Sequence, residues 1–126
     1  YGTDDLGVAQ LDVQRALHAS HQDTPMSFFT DEYRCPAHVD DVAAAVADLA
    51  GRPDITGPIH VAGPEALSRA DFAQRTATWL GHDPTALRTG TIEASGLMRT
   101  ARVALDTTKA RTLGIECRSV DQAYQR

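Results

Sequence analysis

Five histidines, two cysteines and a dozen basic against seventeen acidic side chains are the chemical resources of this 126-residue chain. The histidines, His18, His21, His38, His60 and His82, form no HExxH arrangement and have no cysteines at zinc spacing, so a metal lacks a motif. His18 and His21 lie one helical turn apart, which reads more simply as a solvated face than as a ligand pair. Cys35 and Cys117 are far apart and read as reduced thiols, not as a disulfide framework. No GxSxG elbow, Walker loop or GxGxxG occurs, and neither Tyr33 nor Tyr124 has a lysine four residues on. Nucleophilic hydrolysis, phosphate-loop binding and hydride transfer therefore all lack their apparatus within these residues.

A net charge of -5 argues against a general affinity for nucleic acid or an anionic membrane, which need basic surface. An anionic substrate must be met by a few placed arginines, whose planar, permanently charged fork suits two phosphate oxygens better than a lysine does. Arg34 stands in a loop that feeds an alanine-rich helix; its simpler reading is a surface residue paired with Asp31, Glu32 or Asp40. Arg99 and Arg102 sit in MRTARVALDTTKARTLGI, where the simpler reading is a solvated loop pair. His38 reads as a buried residue bonded to backbone, and His60, within an apolar run, as a core residue.

At 42% hydrophobic residues the chain is the size of one ordinary domain with one core. Apolar spacing predicts a helix from Leu6 to Ala19 and a short strand at Met26, Phe28 and Phe29 after Pro25, then a loop over 30–37. Asp40 or Asp41 is expected to cap the next helix, with Val42, Val46, Leu49 and Ala50 as its stripe and Gly51 and Pro53 as its stop. Pro58 to Ala62 reads as a buried strand of a parallel sheet. Ser68 and Asp71 resemble a capping box opening a helix that Gly81 ends. Residues 87–97 have no convincing period beyond a short strand near Thr89 to Ile92; Asp106-Thr107 starts a helix closed by Gly114, and Ser119 to Tyr124 adds a last turn.

Two blocks in this order resemble the C-terminal half of an extended short-chain dehydrogenase: Asp31, Arg34, Pro36, His38, Val39, Asp41 and Ala43, then Gly57, Ile59, His60, Val61, Gly63, Ser68 and Phe72. A late block, Arg99, Leu105, Asp106, Lys109, Leu113 and Gly114, extends the likeness, which covers roughly Asp31 to Gly114 and is similar to sugar-nucleotide epimerases and dTDP-4-dehydrorhamnose reductases. Thr100, where the family has proline, and Ala37, where the reductases often have threonine, depart from it. The resemblance implies an α/β fold, the C-terminal substrate-binding part of an extended Rossmann-type enzyme, with helices and a few short strands. It also implies that Arg34 and Arg99, with Arg102 as a further candidate, contact the diphosphate of a nucleotide sugar.

That family keeps its glycine-rich loop and its Tyr-x-x-x-Lys pair further toward the N-terminus, and has Tyr-Gly at a strand end in mid-protein. Residues 1–126, opening Tyr1-Gly2-Thr3, are accordingly expected to be one substrate-binding lobe, a fragment without its NAD(P)-binding Rossmann half and inactive alone. The parent would be an NAD(P)-dependent reductase or epimerase; the lobe itself is expected to hold no cofactor and no catalytic residue. Its expected partners are a nucleotide-sugar substrate and the missing half, with a homodimer left open. With no apolar run of about 18 residues and no signal pattern, the expected compartment is the cytoplasm. The competing readings are a non-catalytic regulatory or scaffolding relative and a freestanding small α/β interaction domain.

Overall fold

A computed structural model describes residues 1–3, 8–19 and 26–125. Helix α1, Val8–Ala19, turns Val13 and Ala16 inward, as the apolar spacing requires. The expected start of that helix at Leu6, together with Pro25 and His21, lies outside the described residues. Strand β1, Ser27–Phe29, buries Phe28 and runs parallel to β4, Arg88–Gly90, in the register Phe28 to Thr89. Helix α3, Arg69–Trp79, closes over this pair with Ala70, Ala73, Thr76 and Ala77. Val13, Ala16, Phe28, these alanines and Leu87 form the first apolar core. Alanine at three of the four buried positions of α3 leaves room for α1 and the ladder to come close.

The loop expected over 30–37 is in part ladder. Strand β2, Tyr33–Arg34, pairs antiparallel with β3, Leu67–Ser68, and Tyr33 also bridges in parallel to Arg102. Strands of two residues carry too few apolar positions to show an alternating pattern, which is why neither is legible in the sequence. Ser68 is both the end of β3 and the N-cap of α3, its hydroxyl accepting from the Asp71 backbone N–H at 3.0 Å.

Helix α2, Val39–Ala50, is capped by His38, not by either aspartate: the ring Nδ1 accepts from the Asp40 backbone N–H at 3.2 Å. The extended backbone of His38 sets that geometry, and Asp41 is left free for another partner. Ala45 faces the second core, formed with Ala110 and Ile115 and flanked by Leu49, Ile59, Val61 and Leu113. Val46, expected in the buried stripe, is 62% exposed, and Val39 is 53% exposed. The apolar arc of α2 is thus wider than the core that covers it.

The buried strand expected at Pro58 to Ala62 does not form. The segment carries no ladder pairing; Ile59 and Val61 pack on the second core, and His60, expected inside, is exposed. Lys109 holds the approach to it, donating to the carbonyls of Thr56 at 2.9 Å and Pro58 at 3.0 Å. An apolar run reports burial, whereas a strand also needs a partner edge, and sequence shows only the first.

Within 87–97, where only a short strand was expected, a helix also forms. Helix α4, Ile92–Ser95, was not foreseen, and Gly96 ends it at φ +70°. Helix α5, Thr108–Thr112, and helix α6, Val120–Tyr124, occupy the expected positions, the latter with a full Ser119/Gln122 capping box. Among the described residues no helix is long and apolar enough to cross a membrane.

One close approach ties the second core to the site. A Cβ built on Gly63 would overlap the Pro36 carbonyl oxygen, backbone that cannot move without shifting the loop after Arg34. Gly63→Ala is therefore expected to destabilise the fold by about 1–3 kcal/mol, as overpacked substitutions do, read as a lowered urea midpoint. An unchanged midpoint would show that the loop yields freely.

Candidate functional site

Three segments distant in sequence meet at β2. The Tyr33 backbone N–H donates to Ala101 at 2.6 Å, and its carbonyl accepts from Val103 at 3.1 Å. On the other edge of β2 lies β3, and the Glu32 carbonyl accepts from the Arg69 N–H at 2.8 Å where α3 begins. Residues 32–34, 67–69 and 101–103 are thereby held together through their backbone. Just ahead of them, the Asp31 carboxylate accepts from the Ile92 N–H at 2.9 Å and anchors the start of α4.

Glu32 is the centre of the arrangement. It is 2% exposed, and its Oε1 accepts from Arg99 Nη2 at 2.9 Å and lies 3.2 Å from Arg34 Nη2. A buried carboxylate is costly unless its charge is met, and here two guanidiniums meet it. Arg34 is fixed further by Nη1 donating to the Tyr33 carbonyl at 2.6 Å. Arg99 lies over the Phe29 ring at 5.7 Å and Arg102 over the Tyr33 ring at 5.2 Å, distances at which a guanidinium is attracted to a ring face. Two guanidiniums thus share one carboxylate while a third, Arg102, stands on a neighbouring ring, a local gathering of positive charge on a chain of net charge -5.

The sequence-level candidates thus converge. Arg34 and Arg99 meet on one oxygen, and Arg102 stands one aromatic ring away. Arg34 does pair with Glu32, as its simpler reading held, yet it and Arg99 keep side-chain exposures of 34% and 44%, open to a solute. Arg34 also lines a cavity of about 290 Å³ between α1, β1 and α3, whose walls include Phe28, Pro36, Leu67 and Phe72. Glu32 was named in the sequence only as one of three carboxylates able to pair with Arg34; its burial and its second partner, Arg99, were not foreseen. Among the described residues no group of three or more His, Cys, Asp or Glu is placed to hold a metal, and Cys35 and Cys117 are free thiols.

Beside the cluster, His38 is 2% exposed, its Nε2 meeting the Thr3 hydroxyl at 3.2 Å. Its Nδ1 accepts from Asp40 N–H, as expected of a histidine bonded to backbone, and also meets Arg118 Nη2 at 3.2 Å. Asp41, relieved of capping, takes the Arg118 backbone N–H at 2.8 Å and its Nε at 2.9 Å, which ties α2 to the turn before α6. Burial pushes the Tyr1 phenol that packs on His38 well above its ordinary range.

Burial alone would raise the Asp41 carboxyl, but the Arg118 hydrogen bonds and charge outweigh it and hold it below its ordinary 3.8. A depressed carboxyl stabilises the fold above its unfolded value and loses that contribution as pH falls through the folded one. The urea midpoint is expected to fall as pH drops from 5 toward 2, and to fall less in Arg118→Met. Parallel curves for the two proteins would contradict this.

The family described as RmlD substrate binding domain matches the chain over residues 11–126. No curated protein matches it. Among the solved chains that match is a dTDP-4-dehydrorhamnose reductase from Bacillus anthracis str. Ames, solved in complex with NADP. It superposes with a TM-score of 0.74 at 16% identity, covering 98% of this chain, a likeness of fold. This chain spans 43% of the length of that reductase.

Proposed function

The chain belongs to the RmlD substrate binding domain family, and on that premise we propose that it is the sugar-nucleotide-binding lobe of an NAD(P)-dependent reductase. In this reading residues 1–126 act as one lobe. Arg34 and Arg99 take the diphosphate, and Arg102 lends charge from the face of Tyr33. The observation that carries the reading is the meeting of Arg34 and Arg99 on Glu32, two arginines 65 positions apart in sequence, half-exposed and rigidly based.

The arrangement suits recognition of a diphosphate more than chemistry. Each guanidinium has its position set by a carboxylate, a carbonyl or a ring, so little side-chain freedom remains to be lost when a ligand binds. The cavity beside Arg34 offers aromatic and aliphatic walls within reach of an anion held at the cluster. No Tyr-x-x-x-Lys pair and no glycine-rich dinucleotide loop occur among these residues, so hydride delivery belongs to a nicotinamide-binding portion with which the lobe works. NADP, the cofactor of the solved reductase, is what that portion would hold. By itself the lobe orients the sugar carbon and turns nothing over.

Calorimetric titration of the chain with dTDP- and UDP-sugars and with NADPH tests this. Binding of a sugar nucleotide is expected, with no heat from NADPH. Arg34→Ala and Arg99→Ala should each weaken it by about 1–3 kcal/mol, the worth of a charge-assisted hydrogen bond. A folded chain silent toward both sugar nucleotides would instead favour a non-catalytic scaffolding relative.

A further inference from the structure

A phosphate site is expected to keep its guanidinium donors free, yet here a buried carboxylate already engages two of them. Glu32 Oε1 lies within hydrogen-bond reach of Nη2 on both Arg34 and Arg99. Among the described residues, no protein acceptor is bonded to Nε or Nη1 of Arg99, nor to Nε of Arg34. The two side chains are thus part engaged and part available. Without a counter-ion the two cations would repel, and a carboxylate buried to 2% exposure is costly unless charges such as these meet it.

We propose that Glu32 is a positioning residue that acts as a resident anion, filling the arginine clamp when it is empty and ceding donors to an incoming diphosphate. The proposal rests on the reading of Arg34 and Arg99 as the diphosphate contacts. It makes Glu32 a selectivity element: a weakly charged anion cannot displace it from both arginines, whereas a diphosphate carries enough charge and oxygens to do so. It also keeps ligand exchange reversible, because the arginines are never left without a partner when the ligand departs.

The two roles open to Glu32 predict opposite signs. If it merely supports the arginines, a neutral replacement loosens them and weakens anion binding. If it competes with the ligand, Glu32→Gln keeps the shape and one acceptor oxygen but removes a unit negative charge at hydrogen-bond range from the incoming phosphate, and anions bind more tightly.

The full chain and its Glu32→Gln variant are titrated with inorganic pyrophosphate, and separately with a dTDP-sugar. Glu32→Gln should bind pyrophosphate roughly tenfold or more tightly than the unaltered chain, with a lower melting temperature. Unchanged or weaker pyrophosphate binding by a folded variant overturns the proposal. A gain for pyrophosphate with no dTDP-sugar bound by either protein discards the sugar-nucleotide reading and leaves the resident anion standing. A dTDP-sugar bound by the unaltered chain with no gain in the variant discards only the resident anion. Should the variant not fold, the Glu32 side-chain carboxylate carbon is followed by NMR in the unaltered chain as pyrophosphate is added. Its signal must shift as the arginines change partner, and a signal unmoved throughout the titration overturns the proposal.

Discussion

The double pairing of Tyr33 is the constraint on which the rest of this molecule depends. One residue presents its backbone to Ser68 on one side and to the 101–103 segment on the other, and its ring to Arg102. A lone two-residue ladder has little stability of its own. This one persists because β3 runs straight into the capped start of α3, whose buried alanines belong to the first core. The core therefore fixes α3, α3 fixes β3, and β3 with β2 fixes where Arg34 and the Arg99 segment must come.

Charge follows from the same joint. A chain with five more acidic than basic side chains gathers positive charge locally, because the backbone pairing brings Arg34 and Arg99 onto one carboxylate and Arg102 onto the Tyr33 ring beside it. Glu32 could not be buried there without them, so fold and electrostatics specify each other. The Arg118 bond to Asp41 plays a like part at the start of α2, tying the C-terminal helix to the segment that follows Pro36.

Elements with strong punctuation were legible in the sequence: α3 from Ser68 and Asp71, α6 from Ser119, the ends of α2 and α5 from Gly51 and Gly114. Those resting on a partner were not. Tyr33–Arg34 and Leu67–Ser68 pair through backbone that any residue carries, and Pro58 to Ala62 reads as a strand although no edge receives it. The His38 cap was hidden because a ring nitrogen substitutes for the usual aspartate oxygen. At the site, the arginines were visible through their family blocks and Glu32 only as one possible partner of Arg34; its burial was not, since nothing in a sequence tells a buried carboxylate from an exposed one. The outer face of α2, with Val39 and Val46 in the open, shows the same limit: the helical stripe is readable, its cover is not.

The central claim is that the segments around Tyr33 form one site for a sugar nucleotide. Residue-resolved NMR of the chain titrated with a dTDP-sugar tests it most directly. The account predicts saturable shifts concentrated at residues 32–34 and 99–102 and along the cavity wall at Phe28 and Phe72. Saturable shifts confined to other surfaces, with the Arg34 and Arg99 guanidinium signals unmoved, would contradict it.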